Sequence, residues 1–174
     1  MQHAPSLLDI LAHIPLFVWG ILAAIVAMGV RMSRPMTMAP KRVVVVPLIW
    51  LAFGIWGVNS TSGLFSVAGL AWAVGIATGI TVIRGIGWPG QVSFDAATDR
   101  FHVGGSWFPL VVMLSIFVMK AYVGITLAVH PDVAHQIGFI VVTSAAFGLL
   151  SGCFLGRSIN ILSARPRGVA AVAV

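Results

Sequence analysis

Five apolar stretches of membrane-crossing length dominate the sequence and constrain its fold more than any motif does. They cover about 8–30, 43–61, 64–83, 108–129 and 137–155. A helix that crosses the hydrocarbon of a bilayer needs about 20 predominantly apolar residues. The alternation of apolar and polar residues that a membrane barrel requires is missing from all five. With 59% hydrophobic and 8% charged residues, the chain has too few polar side chains to coat a water-facing surface. A soluble globular domain is therefore excluded, and disorder is excluded for the opposite reason, since it needs low hydrophobicity and high charge. A single cysteine, Cys153, rules out a disulfide framework. The expected fold is an all-α, polytopic membrane bundle of five transmembrane helices forming a single domain.

Charge placement sets the expected orientation. Arg31, Arg34, Lys41 and Arg42 separate spans one and two, Arg84 and Arg100 separate three and four, and Arg157, Arg165 and Arg167 follow span five. Alternating helices thus put nine of the ten basic residues on one face, the tenth being Lys120 inside span four. Because Lys and Arg accumulate in cytoplasmic loops, the N-terminus is expected outside and the C-terminus inside. The net charge of +6 and pI of about 11.2 belong to this signal, with some attraction to anionic lipid, and nucleic acid is not an expected partner. No basic segment precedes the first apolar run, so span one is expected to stay attached rather than be cleaved as a signal peptide.

Two connections have readable structure. Asn59-Ser60-Thr61-Ser62-Gly63 is expected to form a tight outer turn between spans two and three. In the long cytoplasmic segment between spans three and four, Val92, Phe94, Phe101 and Val103 alternate with polar residues around Asp95–Arg100. That pattern predicts a short β-hairpin, flanked by Trp88 and Trp107 at headgroup level. A connector is the simpler role for it, and a docking surface the alternative. Pro15 and Pro47 fall inside spans one and two and are expected to bend them. The apolar tail Gly168–Val174 is too short to cross.

Small residues recur every fourth position in span three (Ala71, Gly75, Gly79) and span five (Ser144, Gly148, Gly152, Gly156). In lipid, helix contact depends on close approach through such residues. An internal contact is the preferred reading, with a contact between two copies as the alternative.

Lys120 is the conspicuous polar residue. It lies roughly 18 Å along its helix from Phe108 and roughly 13 Å from the outer end, beyond the reach of a snorkelling stem. An ammonium there costs about 3 kcal/mol or more and needs partners. Depth matching points to Thr143 and Ser144 on span five and to Asp9 and His13 near the outer end of span one. Together these define an expected intramembrane polar site in the outer half of the bundle. The simpler alternative is a lysine satisfied by hydroxyls and carbonyls, with Asp9 capping helix one.

Catalysis is not expected. The sequence has no Gly-x-Ser-x-Gly, phosphate loop or His-Glu-x-x-His motif. Its four acids are Asp9, Asp95, Asp99 and Asp132, two assigned to each side. His3, His130 and His135 are read as solvated, without metal or other cofactor. The function expected is that of a non-catalytic partner-binding, assembly or regulatory membrane protein, engaging a protein partner or a second copy. A small carrier or proton pathway through Lys120, Asp9 and His13 is the alternative.

Several short motifs carry a family resemblance: His13-Ile14-Pro15-Leu16, Arg31-Met32-Ser33-Arg34-Pro35, and Phe94-Asp95-Ala96-Ala97-Thr98-Asp99-Arg100-Phe101. Gly105-Ser106-Trp107-Phe108-Pro109-Leu110, Lys120-Ala121-Tyr122 and Phe154-Leu155-Gly156-Arg157 continue the series. In these the chain resembles an uncharacterised family of small bacterial integral-membrane proteins, a domain of unknown function. The resemblance implies a bacterial inner membrane and assigns no functional residue.

Overall fold

The computed structural model describes residues 15–61 and 63–165. Helix α1 spans Leu16–Met32, strand β1 Met36–Met38, α2 Pro40–Thr61 and α3 Val67–Gly85. Strands β2 (Val92–Asp95) and β3 (Arg100–Val103) follow, then α4 Phe108–Val129, a 3-10 turn Pro131–His135 and α5 Ile137–Ser163. Helices α2 to α5 are each long and apolar enough to cross a membrane, whereas the described part of α1 is a shorter apolar helix of 17 residues.

The principal helix contact joins α3 to α5, and it is glycine that lets the two backbones meet. A Cβ at Gly75 would strike the carbonyl oxygen of Ala145, and one at Gly79 that of Leu149. Reciprocally, a Cβ at Gly148 would strike the Trp72 carbonyl and one at Gly152 the Ile76 carbonyl. Gly156 continues the row against the Ile83 side chain. Backbones this close exchange dispersion and weak Cα–H···O contacts that larger side chains would prevent. The order of contacts (Trp72 with Gly148, Ile76 with Gly152, Ile83 with Gly156) makes α3 and α5 parallel. Helix α4, which lies between them in sequence, runs in the opposite direction, as its pairing with α1 shows.

The remaining helices are arranged around this pair. Helix α2 packs on α5 and α3, α4 touches α5, and α1 pairs with α4. Gly29 of α1 lies against Leu110 at the start of α4, so those two are antiparallel. Val43, at the start of α2, shares a buried cluster with Ile161, near the end of α5. The C-terminal ends of α1, α3 and α5 and the N-terminal ends of α2 and α4 therefore gather at one end of the bundle.

A three-stranded antiparallel sheet, ordered β1-β3-β2, covers that end. The predicted hairpin is present, with Val92 opposite Val103 and Phe94 opposite Phe101. Period-2 alternation turns Phe101 and Val103 inward, 0% and 2% exposed, onto Met38, Val43 and Ile161. Thr37, Ser93 and His102 face outward. The third strand, β1, was not anticipated; it pairs Met36 with Val103 and Met38 with Phe101.

Several boundaries differ from the sequence expectation, and helix α2 starts at Pro40 rather than about residue 43. Helix α3 starts at Val67 rather than about residue 64, because the Ser66 hydroxyl caps the Gly69 amide at 3.3 Å. The chain turns before it at Gly63, whose φ of 80° suits glycine. Helix α5 continues past residue 155 to Ser163. Its final turns carry polar residues but pack on protein: the Asn160 amide donates to the Ile83 and Trp88 carbonyls at 3.1 and 2.8 Å, and Ile161 is wholly buried. Pro15 is the N-cap of α1 as described rather than an interior residue, while Pro47 does lie inside α2.

Candidate functional site

Lys120 lies midway along α4 on an exposed flank. Its ammonium stands 5.0 Å from the centroid of the Phe147 ring, a cation–π contact. Among the described residues no hydrogen bond joins Lys120 to Thr143 or Ser144. The Thr143 hydroxyl is turned back onto its own helix, donating to the Phe139 carbonyl at 2.7 Å and also approaching that of Ile140 at 3.2 Å. A hydroxyl in an apolar helix finds its nearest acceptor one turn back, which depth matching alone does not weigh. Asp9 and His13 lie outside the described residues. So does His3, while His130, Asp132 and His135 are exposed around the 3-10 turn. Among the described residues, no group of three or more His, Cys, Asp or Glu comes together.

A second polar cluster lies at the sheet-capped end of the bundle, where the sequence reading placed Trp88 at headgroup level and Arg157 as a post-span arginine. Trp88 is its centre. The indole N–H donates to the Ser106 hydroxyl oxygen at 3.1 Å, and that oxygen also accepts the Phe108 amide at 3.2 Å. The Phe108 ring is 4.5 Å from the Trp88 ring. The Arg157 guanidinium carbon lies 5.3 Å from the Trp88 ring centroid, and Asn160 ties the Trp88 carbonyl to α5. Arg157 is only 7% exposed, and its Nε is buried without a hydrogen-bond partner. The sequence signal for this cluster was the pair Arg157 and Asn160, three residues apart and so on one helical face.

The sheet presents an open groove of about 640 Å³, with Thr37, His102, Gly90, Gln91 and Ser93 in its lining. Thr37 Oγ1 and His102 Nδ1 are 3.2 Å apart. In the hairpin turn, Asp95 accepts the Thr98 hydroxyl at 2.7 Å and the Ala97 amide at 2.9 Å. The Thr98 bond, then the Ala97 bond, holds the Asp95 carboxyl below the usual carboxylate range. A depressed pKa means that this contribution is fully present above the ordinary value and is lost as pH falls through the lowered one, so the turn loosens only in acid. Asp99, with φ of 48°, pairs with Arg165 at 3.3 Å. Both side chains are largely exposed, and such a pair contributes about 0–1 kcal/mol.

Apolar helices joined through glycine backbones, four of them long and apolar enough to cross a membrane, with basic residues gathered at one end, are the make-up expected of a small helical membrane protein. The chain belongs to DUF6622, a family of unknown function, whose family model matches residues 1–170. No curated protein and no solved structure matches it.

Proposed function

We propose that this chain is a five-span bacterial inner-membrane protein, N-terminus outside, that performs no chemistry and works by assembling with a partner inside the bilayer. The observation that carries the reading is Lys120 on an exposed flank in the middle of α4. Facing lipid, its ammonium costs about 3 kcal/mol or more, and an aromatic ring offsets only part of that. A partner helix presenting a carboxylate or another acceptor removes the penalty. A second copy related by two-fold symmetry would bring a second lysine to the same seam, so a different protein is the better complement. The parallel run of α3 and α5 and the common end of the basic residues support the five-span alternation.

Lys120→Met tests this directly. In a mild detergent extract, the native chain is expected in a complex larger than its own 18.3 kDa, and the variant as a free chain of raised thermal stability. Complexes of the same size for both proteins would overturn the assignment. The intramembrane charge also supports a second reading, a proton pathway using Lys120 with Asp9 and His13. It predicts instead that the variant loses proton flux in sealed vesicles.

A further inference from the structure

We propose that Arg157 anchors a binding site for a phosphate-bearing anion at the sheet-capped end of the bundle. A guanidinium carries five N–H donors and no acceptor. Among the described residues none of those donors has a hydrogen-bond acceptor, and Nε is sealed inside the bundle. The Trp88 ring attracts the charge but leaves the N–H groups unsatisfied, and a buried cation without a counterpart is strongly unfavourable.

The neighbourhood cannot supply the counterpart. The Asp95 carboxylate is occupied by its own turn, and Asp99 lies beside Arg165. Asp132 belongs to the 3-10 turn at the opposite end of the bundle. The Ser158 hydroxyl donates to the Phe154 carbonyl, and the Ser106 oxygen already accepts two N–H groups. Nε is closed to any outside acceptor, so an acceptor from outside the described residues must meet the Nη groups of the guanidinium.

Position selects the chemistry. Arg157 lies six residues before the end of α5, about 9 Å along the helix, at the end that also carries Arg31, Arg34, Lys41, Arg42 and Arg84. Their combined field concentrates anions there. On the five-span reading, from which this inference takes its lipid source, that end is the cytoplasmic headgroup level. Phosphate oxygens there match the fork of a guanidinium. A phosphatidylglycerol headgroup and free phosphate share this chemistry, and the experiment separates them.

Purified protein in a neutral detergent is heated alone, then with phosphatidylglycerol, phosphatidylcholine or inorganic phosphate. Phosphatidylglycerol is expected to raise the unfolding temperature of the native chain by about 5 °C or more at saturation, and phosphatidylcholine by clearly less. Arg157→Gln should lose this difference, and Arg157→Lys should keep part of it. Stabilisation by inorganic phosphate instead, lost in Arg157→Gln, would assign the site to a soluble anion. Should Arg157→Gln not fold, native mass spectrometry of the unaltered chain and Arg157→Lys decides, with one retained phosphatidylglycerol expected on the former and weaker retention on the latter. Equal responses to both lipids and no response to phosphate, or a selectivity that persists in Arg157→Gln, would overturn the proposal. The assay is independent of orientation, so its failure is distinct from a failure of the five-span reading.

Discussion

Gly152→Val will leave little folded protein, the largest loss expected from any single substitution in the chain. The Ile76 carbonyl occupies the space that the first side-chain carbon would take, and neither a backbone carbonyl nor a helix axis yields as a flexible side chain does. Overpacking in a tight core costs about 1–3 kcal/mol and at times more, and rigid backbone on both sides puts this site at or above the upper end. Gly152→Ala should show the same effect in weaker form. Gly20→Ala is the control, since nothing lies within 4 Å of a Cβ there. It replaces a poor helix former with a good one and should add up to about 1 kcal/mol. Thermal unfolding in detergent separates the two, with Gly152→Ala lowering the midpoint and Gly20→Ala leaving it unchanged or raised. Equal midpoints would mean that α3 and α5 do not meet through these glycines.

Phe101→Ala will release the sheet from the bundle while the helices stay together. Phe101 is 0% exposed at the centre of the cluster that holds Met38, Val43, Val103 and Ile161. Its ring also lies 5.0 Å from that of Phe94. Emptying such a site costs about 3–5 kcal/mol, more than a three-stranded sheet of strands three and four residues long can readily absorb. The glycine rows that join α3 to α5 share no residue with this cluster. Hydrogen exchange should therefore quicken sharply across 92–103 and remain slow across 72–83 and 145–156. Unchanged exchange in the strands would show that this core does not hold the sheet.

The same two regions show what the sequence could disclose. The glycine rows were visible because small residues every fourth position fall on one helical face whatever surrounds them. The hairpin was visible because Val92, Phe94, Phe101 and Val103 alternate on both sides of a turn. Strand β1 was not, since Met36-Thr37-Met38 is too short for a period and becomes a strand only by pairing with β3. The end of α5 was hidden for a related reason. Arg157 and Asn160 look like residues leaving a membrane, and only tertiary packing reveals that one lies on Trp88 and the other binds the last carbonyls around α3. Lys120 was conspicuous as a charge, but depth matching did not disclose the Phe147 ring beside it or the Thr143 hydroxyl turned back onto its own helix.

Whether α4 carries the chain across the bilayer, with the sheet inside, is tested most directly by a membrane-impermeant thiol reagent on intact cells. The sole native cysteine, Cys153, is buried, so the unaltered chain serves as the blank. Ser60→Cys and Gln136→Cys, at exposed positions, should react at once. Thr98→Cys, exposed in the hairpin turn, should react only after the membrane is opened. Reaction of Thr98→Cys and Gln136→Cys from the same side would contradict the account.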